Sequence, residues 1–443
     1  MKHQKKRLSV GTILAICLTV CVTAGCVVML SKMRADNSSA RMSAQKVVGL
    51  LENVLTGNTQ TPSPKNPVRT VTVTLAPVNS SSDDFLPSPT PICTPSPAPA
   101  PVSYSFTMTL GGLLGFHSDI SDAVYKKGDA TLYQPILSGL SDKINADFNI
   151  GILPHIICDD DQKYADVLAP AEILDALKTA GFDDLLLNTE HALDQGIQGI
   201  ETTVETIKQM GFSCGGVNIA SSTQNRSLQL NSAKIAILAY TDSLTAKGKN
   251  ALATQAGQNI LTLLDLNALN QDIAAAKAQG ANCIIVFVHW GKEDATTITK
   301  EQRDIAQAIA DMGGDIIIGF HPSRVLPIEM LESRNEMGEA RKALVAYSLG
   351  TLLTESRNGY DISGILLHLD ITCSDDGTVK FNSVEYTPTY IWRQSVNGNM
   401  QYRVICSAES PPKEMDKNQQ EVMGRALNRI RDSLAGSSVE QRR

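Results

Sequence analysis

A chain of 443 residues, 42% hydrophobic and 19% charged, is long enough for one large domain or two ordinary ones with a sizeable core. The formal net charge is −7, and residues 1 to 34 hold six lysines and arginines and no acid, so the remainder carries −7 − 6 = −13. That balance excludes nucleic acid as the main partner.

The basic start "MKHQKKR" precedes an uncharged run from Leu8 to Ser31. At about 1.5 Å per residue such a run spans roughly 30 Å of hydrocarbon. The expectation is an uncleaved single-pass anchor over 1–34, with the N-terminus cytoplasmic and the rest extracytoplasmic. A cleaved signal peptide stays open, and so does lipidation at "TAGC", although Thr23 is atypical for such a box and the apolar run continues past Cys26. Residues 35–102 read as a stalk and a disordered linker. Eleven of the nineteen prolines fall between Pro62 and Pro101, a composition that stays extended and lifts the next domain off the membrane.

From residue 103 the pattern changes. "YSFTMTL" (104–110) alternates as a strand, and Gly111-Gly112 then reads as a turn. Helices are predicted over 170–181, 197–211, 265–280 and 300–314, with glycine stops. Strands are predicted over 182–188, 233–240, 282–290, 315–319, 343–347 and 362–371, and a hairpin over 375–388. The alternation implies a layered α/β domain with buried strands over 103–405. A polar tail over 406–443 holds one further helix at 417–434. Only Cys158, Cys214, Cys283, Cys373 and Cys406 lie in this folded part, an odd number without CxxC spacing, so one bridge at most is expected.

In open α/β sheets, ligands collect at the carboxyl ends of strands. His117, His191, His289 and His321 all follow predicted strands. Imidazole is the commonest ligand for a borderline metal, yet a lone strand-end histidine is more often structural. Carboxylate is scarce: the turn after 110 offers no Asp, and a two-metal hydrolase needs a bridging anion.

Four segments, in order, resemble the poly-γ-glutamate capsule synthesis (CapA) family, whose fold is related to the calcineurin-like metallophosphoesterases. They are "DALKTAGFDDLLLNTEHALDQG", "VFVHWGKED", "EQRDIAQAIADMGGDIIIGFHPSRVLPIE" and "VAYSLGTLL", within about 104–355. The resemblance implies a metal site at His191, His289 and His321. Glu190 stands in place of an Asn, Ser323 in place of a second His, and Gly111-Gly112 in place of Gly-Asp. Asn149 lies near an expected Asn-Leu-Glu motif but out of register by two. The implied cofactor is one divalent ion (manganese, zinc or iron) on Glu190, His191, His289 and His321, or none. His289 and His191 are the catalytic candidates. Arg324, Trp290 and Ser323 are candidates for substrate contact, with Trp290 also readable as core and Arg324 as a solvated loop residue.

Three functions remain open at this point. One is an extracytoplasmic factor with a degenerate centre, a pseudoenzyme serving an anionic surface polymer together with polymer synthesis proteins. Another is an active single-metal hydrolase of phosphoester or polyglutamyl bonds. The last is a receptor or structural module unrelated to polymers.

Overall fold

The structure, a computed structural model, describes residues 101–443 apart from 117–119, 121–128, 159–166, 220–221, 258, 336, 357–360, 407–410 and 443. The expected anchor, the stalk, nearly all of the linker, and His117 lie outside the described residues. Among the described residues no helix is long and apolar enough to cross a membrane.

The first run of elements is β1 (Ser103–Leu114), α1 (Gln134–Leu137), β2 (Phe148–Ile152), β3 (Ile156–Cys158), β4 (Leu168–Pro170), α2 (Ile173–Ala180), β5 (Asp184–Leu186), α3 (Gly196–Gln209) and β6 (Ser213–Gly215). The second is β7 (Arg226–Leu230), β8 (Ala233–Thr241), α4 (Ala246–Leu252), α5 (Leu266–Ala278), β9 (Cys283–His289), α6 (Lys300–Met312), β10 (Ile316–Phe320), β11 (Ile328–Arg334) and β12 (Ala340–Ala346). The chain closes with β13 (Thr351–Leu353), β14 (Ser363–Ser374), β15 (Val379–Val396), β16 (Asn399–Cys406), α7 (Lys417–Ser433) and β17 (Glu440–Gln441).

Two sheets form the frame. The first runs β16-β15-β14-β1-β2-β5-β6, with β13 on β1 and β17 on β15. The second runs β11-β12-β10-β9-β8-β7. Between them lies one core, with Phe106, Met108 and Ile150 facing Ile237, Ile285, Phe287 and Ile318. The outer face of the first sheet packs under α1 to α3 through Leu137, Leu174, Leu177 and Val204. The outer face of the second packs under α5 and α6 through Leu269, Ile273 and Ile309. The result is a helix–sheet–sheet–helix stack. This explains the unbroken apolar runs: β9 buries all seven residues, Ile285 and Phe287 toward the other sheet and Ile284, Val286 and Val288 toward the helices.

Local chemistry sets the helix ends. Thr299 and Gln302 close a capping box at the start of α6, and Asp416 and Gln419 do the same for α7. Gly181 and Gly313 end α2 and α6 in the left-handed region that glycine adopts without penalty.

Several expectations need correction. The strand expected to turn at Gly111-Gly112 continues to Leu114 and pairs in parallel with β13. The helix expected from 170 begins at Ile173, because 168–170 form β4. The 417–434 helix packs onto the body: Met423 and Ala426 meet Tyr390 and Trp392, and Ile430 reaches the inter-sheet core. Polar composition hid this face, since only three α7 residues at spacings of three and four are buried. Cys158, Cys214, Cys283, Cys373 and Cys406 form no disulfide with one another, which stays within the expectation of one bridge at most.

Candidate metal centre

The parallel strands β8, β9 and β10 run side by side, with Thr241 opposite His289 and His289 opposite Phe320. Their carboxyl ends therefore deliver Asp242, His289 and His321 to one edge. The first sheet delivers Glu190 and His191 from the segment after β5. Asn188 ties the two edges, its Nδ2 donating to the Tyr240 carbonyl at 2.8 Å.

Glu190, His289 and His321 converge, with one ligand atom from each lying within 4.8 Å of the others. The Glu190 carboxylate contacts His289 Nε2 and lies 3.5 Å from both His321 Nδ1 and His191 Nε2. The His289 and His321 rings sit 4.3 Å apart. His289 is held from behind. Thr241 Oγ1 donates to the Ser243 carbonyl at 2.8 Å and so can accept from His289 Nδ1 at 3.1 Å, which leaves Nε2 facing Glu190. Asp242 adds a carboxylate 3.4 Å from the same Nδ1 and accepts from Gly291 N at 3.1 Å. Metal-binding imidazoles are usually backed by a carboxylate in this way. His191 is oriented by Asp194, 2.7 Å from its Nδ1, and Asp194 also accepts from Thr245 Oγ1.

The electrostatics point the same way. Burial alone would raise the pKa of Glu190, but the hydrogen bond and charge of His289, with His321 and His191 behind it, hold the carboxyl at about 2. Burial alone would lower His289, yet Asp242 and Glu190 raise it above the ordinary imidazole value. Burial and the charge of His289 keep His321 below that value. A positive charge thus belongs between His289 and Glu190, supplied by a proton or by a cation. Two imidazoles and a carboxylate are the donor set of a single zinc-, manganese- or iron-type ion, and the residues present fit one such ion.

His321 has a further mark. Its φ is +104°, a region that non-glycine residues rarely enter. Strain of this kind persists only where neighbours over-determine it, and it clusters at functional sites.

The other sequence candidates fall in different places. Trp290 is 1% exposed, stacks on Tyr347 and donates to the Tyr347 carbonyl at 3.1 Å. Substrate contact is thereby corrected to a core role. Ser323 is tied through its backbone, its N donating to Glu293 O at 2.8 Å and its O accepting from Thr351 Oγ1 at 3.2 Å. Arg324 directs its guanidinium to Asp361, 3.9 Å away, so its charge is met there. Asn149 sits near the amino end of β2, opposite Thr109 and bonded to Asp183, away from the strand end that faces the centre.

The glycines that replace Gly-Asp are explained by close approach. A Cβ on Gly112 would stand 2.2 Å from the Gly350 carbonyl oxygen, and one on Gly111 would stand 2.7 Å from Leu352 Cδ1. Backbone fills the space a first-strand carboxylate would need. Sequence reasoning missed Asp242, Asp194 and His155. Asp242 follows the strand read at 233–240 by two residues, so the rule applied to histidines would have found it. His155 is buried after β2 and accepts from Phe116 N at 2.7 Å.

Known proteins related to this chain carry capsule descriptions. Residues 107–356 match the family described as "Bacterial capsule synthesis protein PGA_cap". The chain is 26% identical over 258 residues to the capsule biosynthesis protein CapA of Bacillus anthracis, covering 56% of this chain and 59% of that protein. It is 29% identical over 185 residues to the PGA biosynthesis protein CapA of Bacillus subtilis (strain 168), covering 41% of this chain and 45% of that one. It thus spans about half the length of these curated relatives. Among solved structures, a 5'-nucleotidase precursor from Thermus thermophilus is similar at 12% identity with a TM-score of 0.39, over 74% of this chain and 59% of that one. With the matched stretch taking in more than half the residues and every ligand of the centre, the chain belongs to the bacterial capsule synthesis PGA_cap family.

Proposed function

We propose that this protein serves the synthesis or anchoring of an anionic surface polymer such as poly-γ-glutamate, as an extracytoplasmic domain on a single N-terminal membrane anchor. Support comes from the capsule biosynthesis relatives, from the basic start and apolar run, and from the proline-rich spacer. Its partners in this reading are the membrane, the polymer and the polymer synthesis proteins.

The observation that carries the reading of the site is the convergence of Glu190, His289 and His321, beside a β1 end closed by Gly350. These three residues would hold one divalent cation, with His191 alongside. A bound cation would act as a Lewis acid toward a carboxylate or phosphate oxygen. One cation without a bridging aspartate favours gripping an anionic polymer over two-metal hydrolysis. Metal analysis of the purified chain is expected to give one divalent ion per chain, lost in His321→Ala; two tightly held ions would overturn the reading.

A second reading, single-metal hydrolysis, is favoured by the His191–Asp194 pair. Asp194 orients an imidazole whose side chain is 36% exposed, as a proton-transferring group requires. Turnover of phosphoester or polyglutamyl substrates that disappears in His289→Ala is the expected result there. Absence of turnover with several divalent metals would remove this alternative.

A further inference from the structure

The family match ends at residue 356, yet the segment that carries His321 is gripped by residues far beyond it. That segment, 321–328, runs from the end of β10 into the first residue of β11 and starts with the strained His321 backbone. One set of ties comes from within the matched region. Ser323 N donates to Glu293 O at 2.8 Å, Ser348 Oγ donates to Pro322 O at 2.8 Å, and Leu326 N donates to Ser348 O at 3.1 Å. A second set comes from the end of the chain. Ser433 Oγ, in the last turn of α7, donates to the Val325 carbonyl at 2.7 Å. Ile328 N donates to Ser437 Oγ at 3.1 Å. Ile430 and Leu434 lie in the same apolar cluster as Val325 and Ile328.

Ser433 is unusual for a helical serine. Such a hydroxyl ordinarily bonds back to the carbonyl four residues earlier or points to water. Here it leaves its own helix and satisfies another segment's carbonyl. The helix is fixed for this task by its capping box and by Met423 and Ala426 against Tyr390 and Trp392.

We infer that the C-terminal segment is part of the metal centre, with Ser433 and Ser437 acting as positioning residues. They hold 321–328, and through it the His321 imidazole, against Glu190 and His289. The inference rests on the reading that these three residues take a cation. A backbone at φ +104° relaxes when its surroundings loosen, and the ring it carries then leaves the ligand set.

The test is calorimetric titration of the full chain with Mn(II) and with Zn(II), alongside melting in chelator. In S433A/S437A the affinity is expected to fall about tenfold, the lower end of what losing a partner behind a metal ligand does. The melting temperature in chelator is expected to fall only as far as the loss of two partly buried hydrogen bonds requires, and the fold to remain intact. S433A alone is expected to fall about threefold, as for one modest hydrogen bond, and S433T, which keeps the hydroxyl, to recover that loss. Wild-type affinity in the double variant overturns the inference while leaving the cation reading intact. Failure of S433T to recover what S433A loses also overturns it. A wild-type chain that takes up no cation overturns the underlying reading, and this inference with it.

Discussion

The two sheets present their carboxyl edges to each other, and each sheet carries histidine, but they use it in opposite ways. On the second sheet His289 and His321 meet the Glu190 carboxylate, with Asp242 and Thr241 behind His289. On the first sheet His155 accepts from the Phe116 backbone, and His368 lies in β14 between Thr109 Oγ1 at 3.3 Å and Thr387 Oγ1 at 2.9 Å. Apart from His191, which stands beside Glu190, the first-sheet side uses its imidazoles for register and loop closure, and its edge position at Gly112 is filled by backbone. His289 shows the arrangement that suits a ligand, one nitrogen satisfied from behind and the other facing a carboxylate.

The largest expected effect tests the second-sheet edge. His289→Ala or Glu190→Gln should weaken divalent cation binding by more than the about 10–100-fold that losing a partner behind a ligand costs, measured by titration calorimetry. Binding that survives either change would break the contrast. On the first-sheet edge, Gly112→Ala should destabilise the fold by about 3 kcal/mol, because the new methyl meets a fixed carbonyl and not a movable side chain. Denaturant melts measure this. Gly112→Asp should likewise fail to add a second cation, and an ion count of two in that variant would show the edge to be open.

His368 gives a comparable effect through pH. Burial, with Arg442 and Lys143 behind it, pushes its pKa down from 6.5 to about 4. The unfolded chain therefore takes a proton near pH 6.5 that the folded chain refuses until about pH 4. The contribution is intact above pH 6.5 and is lost as pH falls toward 4, up to about 3 kcal/mol. His368→Gln should flatten this part of the stability profile relative to wild type. Equal slopes would mean that His368 is not held neutral. The smallest effect concerns Asp242, where Asp242→Asn should weaken cation affinity about tenfold without displacing His289.

The core of the fold was legible in sequence because parallel strands buried on both faces leave unbroken apolar runs. "CIIVFVH" and "IIIGF" read directly, and their strand ends located His289 and His321. Gly111-Gly112 read as a turn because local sequence carries no trace of Gly350 beside it. Only tertiary contact makes that glycine pair a strand. Trp290 looked available because it follows His289, but strand alternation turns it toward Tyr347 and α6. The Ser433 and Ser437 ties join residues 108 and 109 positions apart, a distance at which no motif spacing operates.

One pairing bears on how such a domain comes to exist at all. β1, the first strand among the described residues, lies between β2 and β14, and Ser105 bonds to Thr372 across 267 residues. Loop closure over such a span is slow, and chains dominated by distant pairings fold late. The opening strand must wait, unpaired on one edge, until almost the entire chain has been made. The parallel strands β8, β9 and β10 follow one another closely in the chain, so the edge that carries His289 and His321 can pair before the opening strand is completed.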